Sequence, residues 1–246
     1  MPDGQMLSFP IPVLGEQGIS SECISYANIT LEELFKDLGH KKTRRTHHLD
    51  PDLGLYCVNG LPSKCAGIFG QSSSAASHLH NQKVGVGDVF LFFGTFQHVE
   101  FAEGKHRYKK GETPFHAIFG YLVVSEVIDV IDGLDNLFAT KRFLSHPHWS
   151  NRALLPAYKN NHIYIGNRYG TFKYSDELKL TKPCANKSLW NLPKSFWGIT
   201  LSYHPRGGTI IDDKFELQTV AKGQEFVCSI TDKTTEWIQN LVQQHG

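Results

Sequence analysis

No stretch of this 246-residue chain stays apolar for long: runs such as Val89 to Phe93 fall far short of the roughly 20 residues a membrane-spanning helix needs. The N-terminus lacks the charged-then-apolar pattern of a secretion signal. The five cysteines (Cys23, Cys57, Cys65, Cys184, Cys228) are odd in number, scattered and without a CxxC pair, which argues against a disulfide framework and against a cysteine zinc site. Net charge is nearly absent too, at +1, so nothing demands a polyanionic partner, and any surface for nucleic acid has to be a local patch. Together these absences predict a soluble protein of a reducing cytoplasm with no membrane partner. Catalytic signatures are also missing. There is no HExxH, no GxSxG elbow and no phosphate loop, since Gly85-Val86-Gly87-Asp88 lacks the Lys-Ser/Thr ending and precedes a strand.

What is present reads as one domain of mixed elements. With 40% hydrophobic residues the chain can bury a sizeable core. Its opening, MLSFPIP, reads as an edge strand or extended arm interrupted by Pro10 and Pro12. Thr30 with Glu33 three residues on forms a capping box, and Gly39 stops a helix whose Leu31, Leu34, Phe35 and Leu38 share one face. Ser72 to Ser74 suggest a serine-capped helix carrying His78 and Asn81. Val89 to Phe96 and Ala117 to Val130 have the β-branched and aromatic content of paired strands, separated by a charged excursion, EGKHRYKKGETP, that suits an exposed loop. Further strands are expected at Asn161 to Gly166, within Ser195 to His204, and once or twice between Gly207 and Val227, followed by an amphipathic C-terminal helix. The expected layout is an N-terminal arm, helix and basic loop (1–76), a barrel core (77–230) and the terminal helix (231–246).

Several polar groups stand out as candidate site residues. The run from His40 to His48 holds Lys41, Lys42, Arg44 and Arg45, either a solvated loop or a phosphate-facing edge. Histidines alternate at His78 and His80 and again at His146 and His148, and His48 lies beside Asp50 and Asp52. Such pairs can ligate a metal, but no spacing matches a metal motif, and the sequence calls for no metal and no cofactor. Phe92 and Phe93 are adjacent, so one faces the core and the other faces a mouth where a base can stack. Gln71, His78 and Asn81 before that strand, and His116 opening its return partner, are the groups to read a base edge. The competing reading makes each of them core or scaffold.

The blocks MLSFPIP, HLDPDLG, FGQ, HLHNQKVGVGDVFLFFGTF, HAIFGYLVV, SHPHW, LSYH and KGQEFV resemble, in that order and over nearly the whole chain, the third family of nucleotide modification associated domains. One departure is at the start, where family members usually carry a KGFDS-like segment and this chain opens on Met1-Pro2-Asp3-Gly4. The resemblance implies a bacterial or phage protein linked to DNA-base modification and to phage defence or counter-defence. It implies site residues at Asp50, Asp52, Gln71, His78, Asn81, His146, His148, Gln224 and Glu225. The expected fold is α+β, built on a partly closed, mainly antiparallel β-barrel similar to PUA, ASCH and EVE-type modules, with peripheral helices. Three roles compete. The first is recognition of a nucleotide or modified base, free or within nucleic acid, with Phe93 stacking. The second is a hydrolase or transferase using Asp50 or Glu225 as base and His78, His146 or His148 as acid or metal ligand. The third is an interaction protein pairing through a barrel edge.

Overall fold

The computed structural model describes residues 1–13, 18–40, 46–62, 66–130, 141–150, 160–204, 207–219, 225–229 and 231–245, with only the backbone of Lys141 and Arg142. Its centre is an antiparallel sheet of β1 (Gly67–Ser72), β2 (Val89–Phe96), β3 (Phe115–Asp129) and β4 (Asn161–Thr171), in the order β1-β4-β3-β2. The β-branched and aromatic content that predicts β2 and β3 also pairs them, with Phe115 opposite Phe96 and Val123 opposite Val89. Irregularities between Ile118 and Gly120, and again between Val123 and Glu126, bend β3. Strands β1 and β2 form opposite edges and would lie about 14 Å apart in a flat sheet. Yet the Phe69 ring of β1 sits 5.0 Å from Phe90 and 5.1 Å from Phe92 of β2. The sheet is therefore curled into a half-barrel and not a closed barrel. The other named strands of the described residues form four small sheets.

Helix α1 (Leu31–Asp37) has the anticipated capping box, with Thr30 and Glu33 each accepting from the other's backbone N–H. It packs Leu31 and Phe35 with Ile24, Leu49 and Tyr56 in a small N-terminal core. Helix α2 (Ser73–Asn81) follows β1 without a loop, and its Ala76 and Leu79 are buried. Its start differs from the expected serine cap. The Ser72 side chain makes no capping bond; instead Ser73 takes φ +57° and its N–H donates to the Asn160 carbonyl. Two short helices, α3 (Lys141–Leu144) and α4 (Pro147–Ser150), bring Phe143 and Trp149 against Ile68, Ile128, Ile163 and Ile165 of the sheet. The C-terminal helix α5 (Asp232–His245) buries Leu241 and sets Trp237 edge-on to Phe196 at 5.2 Å.

Three expectations of local structure need correction. The charged excursion is a hairpin, Val99–Ala102 with Lys105–Tyr108, turned by Glu103 and Gly104 at φ +56° and +75°. The strand sought within Ser195 to His204 lies earlier, at Leu189–Pro193, where Trp190 and Leu192 alternate inward. Its partner strand, Lys214–Gln218, is joined to a third, Thr209–Ile211, by a turn at Asp212 and Asp213, and both end well before Val227. Among the described residues no helix is long and apolar enough to cross a membrane.

Candidate functional site

Gly70 and Gln71 are consecutive in β1 and so face opposite sides of the sheet. Each side holds a polar cluster. On the Gly70 side, Asp50 is held by an antiparallel bridge in which Asp52 and Ile68 exchange both backbone hydrogen bonds. That bridge puts Asp50 across from Gly70, whose N–H donates to Asp50 Oδ1 at 3.0 Å. The short helices supply His148 Nε2, 3.3 Å from Asp50 Oδ2, and His146 Nε2, 3.5 Å from Oδ1. His148 Nδ1 meets Asn161 Oδ1 at 2.5 Å, and Asn161 Nδ2 donates back to the His148 carbonyl. A Cβ on Gly70 would lie 2.2 Å from His148 Cδ2 and 2.9 Å from His146 Cε1, so only glycine lets the two rings close over the strand.

The electrostatics of this cluster are those of a buried ion pair. Burial pushes the Asp50 carboxyl up, but His146 and His148 overcome it and hold the carboxyl well below the usual carboxylate range. Burial likewise pulls the His148 imidazole down, and its bonds to Asp50 and Asn161 overcome that, raising it above its ordinary value. Both His148 nitrogens are thereby occupied. His146 differs: its side chain is 2% exposed and neither ring nitrogen makes a hydrogen bond, Nε2 lying at ion-pair range from Asp50 without hydrogen-bond geometry. Among the described residues no group of three or more His, Cys, Asp or Glu side chains is arranged to hold a metal ion.

On the Gln71 side, two candidates from separate strands meet the segment Glu225 to Val227, and a third reaches it through Ser202. Gln71 Nε2 donates to Glu225 Oε1 at 2.7 Å. The Phe93 ring lies 6.2 Å from Phe226 and edge-on to Trp190 at 4.8 Å. His78 Nε2 is 3.0 Å from Ser202 Oγ, which accepts from the Val227 N–H at 2.6 Å, and the His78 ring stacks on Tyr203 at 4.1 Å. Beside Gln71 in the sheet register stands His162, its Nε2 3.6 Å from Asp129 Oδ2 and its ring parallel to His80 at 5.9 Å.

The family model described as Nucleotide modification associated domain 3 matches residues 1–229. The chain belongs to that family. No curated protein and no solved structure matches it. In this nucleotide modification associated domain the remaining candidates are dispersed. Asp52 Oδ1 accepts from the Gly54 N–H, and its backbone forms the bridge to Ile68. Asn81 is exposed at the last position of α2. His116 is buried, with Nδ1 accepting from Trp190 Nε1 at 3.0 Å; burial first, and Lys187 second, lower its pKa, so the ring is a neutral core group beside Phe93. Lys41, Lys42, Arg44, Arg45 and Gln224 lie outside the described residues.

The sequence reading pictured one mouth ringed by His, Asp and Gln, whereas the structure divides those residues between two faces. It also adds Gly70, Asn161 and Ser202. Asn161 opens a recognisable strand, and its position before an inward-pointing apolar run was the available signal. The LSYH block was visible, but no local pattern ties Ser202 to a histidine 124 residues away.

Proposed function

We propose that this protein recognises a nucleotide or modified base, in a DNA-modification or phage defence or counter-defence setting, at the mouth bounded by Gln71, His78 and Phe93. The supporting observation is that Gln71 and Phe93, from opposite strand edges, contact Glu225 and Phe226 directly, while His78 of α2 reaches Val227 through Ser202. Phe93 stacks on the base, Gln71 and His78 bond its edge, and the Glu225 carboxylate accepts from an exocyclic amine. The similarity to PUA-type modules and the phosphate role of the Lys41 to Arg45 run belong to the same proposal. Mass spectrometry of small molecules co-purifying with the protein identifies the ligand class, and titration with that nucleotide follows. Folded Phe93→Ala and His78→Ala variants then bind about tenfold more weakly or worse. Undiminished binding in both variants refutes this placement.

A second reading, an enzyme acting on nucleotides or modified bases, is favoured by the Asp50 cluster. The buried carboxylate orients imidazoles, and His146, with Nε2 toward Asp50, has Nδ1 without a hydrogen bond, the open nitrogen an acid–base group requires. Turnover of a nucleotide panel, with and without chelator, that is lost in His146→Gln supports this reading. Tight binding with no turnover supports recognition alone.

A further inference from the structure

The hydroxyl of Ser202 is placed as a nucleophile is placed. Leu201 to His204 form a tight turn closed by the His204 N–H on the Leu201 carbonyl, with Ser202 and Tyr203 at its corners. Tyr203 is held at φ +63°, a backbone conformation that a tyrosine rarely adopts, and its half-exposed ring stacks on His78 at an interplanar angle of 28°. That stack fixes the plane of the imidazole. Its Nε2 lies 3.0 Å from Ser202 Oγ, within the range of a nucleophile and its base. Ser202 and Val227 are tied in both directions, the Ser202 N–H donating to the Val227 carbonyl at 2.9 Å and the Val227 N–H to Ser202 Oγ at 2.6 Å. One lone pair of Oγ accepts from the Val227 N–H, which leaves the hydroxyl able to donate its proton to His78 Nε2 in the tautomer that carries hydrogen on Nδ1. The Val227 N–H also stabilises negative charge developing on Oγ.

We infer that Ser202 and His78 form a nucleophile–base pair for acyl transfer from a neutral ester or amide. Oγ attacks the carbonyl carbon as its proton passes to His78 Nε2. Collapse of the tetrahedral adduct breaks the bond to the leaving oxygen or nitrogen, which departs with that proton. Water then cleaves the acyl-serine by the reverse sequence, its proton passing through His78 and its oxygen leaving in the carboxylic acid. The surroundings select the acyl class. Glu225, next but one in the chain to Val227, is a carboxylate and disfavours an anionic phosphoryl group, whose transfer draws on cationic groups around the transferred oxygens. This step goes beyond the recognition reading, which needs His78 only as a hydrogen-bonding group.

The test is covalent labelling of the folded, full chain with an alkyl fluorophosphonate, with the modified residue located by peptide mass spectrometry. Labelling at Ser202 is expected, and His78→Ala should slow it about 100-fold or more, the contribution of a positioned general base. In Ser202→Cys the same imidazole should lower the thiol pKa below its ordinary value of about 8.5, read from the pH dependence of iodoacetamide alkylation. A burst of one equivalent of phenolate is expected from an aryl carboxylate ester and none from the aryl phosphate. Wild-type Ser202 that labels no faster than other serines, or labelling that His78→Ala leaves unchanged, overturns the pair. A burst from the phosphate, or none from the ester, overturns the acyl assignment. Nucleotide binding that persists alongside such failures would leave the recognition reading standing, so the two can be told apart.

Discussion

Replacing Asp50 with alanine should be among the most damaging single changes in the described part of the protein. The carboxylate receives the Gly70 N–H at 3.0 Å and His148 Nε2 at 3.3 Å, with His146 Nε2 at 3.5 Å, and its side chain is only 8% exposed. Alanine leaves the His148 imidazolium buried with Asn161 as its remaining partner and leaves the Gly70 N–H without an acceptor. Removing one member of a buried ion pair costs about 3–5 kcal/mol. At about 2–4 °C per kcal/mol for a chain of this size, the melting temperature should fall by roughly 6–20 °C. Asp50→Asn should cost less, since Oδ1 still accepts from Gly70. The pH dependence carries a second signature. The lowered Asp50 pKa contributes stability that is complete above the unfolded carboxylate value of about 3.9 and is lost as pH falls below it. The raised His148 pKa contributes stability that is complete below the unfolded imidazole value of about 6.5 and is lost as pH rises through the folded value. The pair therefore stabilises most between these limits, with slopes of at most about 1.4 kcal/mol per pH unit on either side. Urea unfolding of wild type, Asp50→Ala, His148→Gln and the double variant at a series of pH values measures both effects. A cost under about 1 kcal/mol, additive single variants or an unchanged pH profile in Asp50→Ala would refute the ion-pair account.

Gly70→Ala should push both imidazoles off the strand, costing about 1–3 kcal/mol and abolishing the imidazole proton resonance of the His148 to Asn161 bond in NMR spectra. Trp190→Phe removes the donor to His116 Nδ1 and also shrinks a fully buried ring system, so a loss of at least about 1–3 kcal/mol is expected in thermal melts; no loss would mean that the core closes up and His116 finds another partner. Thr30→Ala dismantles the capping box of α1 and should cost about 1 kcal/mol, with Glu33→Ala in the Thr30→Ala background adding little if the two act reciprocally.

The elements legible in the sequence are those set by local physics. The Thr30 to Glu33 box, the β2–β3 pair and the amphipathic C-terminal helix each follow from residues close together in the chain. The Leu189–Pro193 strand was missed because its alternation is short and ends on proline, although Trp190 and Leu192 carry the inward pattern. The hairpin at Glu103 and Gly104 is hidden in the sequence because charge marks exposure in strand and loop alike, and the positive φ of Glu103 leaves no trace in its residue type. For the site, residue types were legible and grouping was not. Asp50, His146 and His148 come together only because an isolated bridge sets Asp52 against Ile68 and two short helices pack on the far face. Ser202 reaches His78 only through the packing of a tight turn against α2.

Strand β1 lies at the edge of the half-barrel, with β4 on one side and, among the described residues, the Asp52 bridge on the other. A slip of a single residue would turn the Gln71 amide toward the imidazoles and leave glycine facing Glu225, exchanging what the two faces present. The main chain of Asp52 therefore acts as a register pin. Insertions or deletions between Asp50 and Gln71 should be tolerated only where they leave that pin in place, so length variation among relatives would be confined to the loop between the bridge and β1.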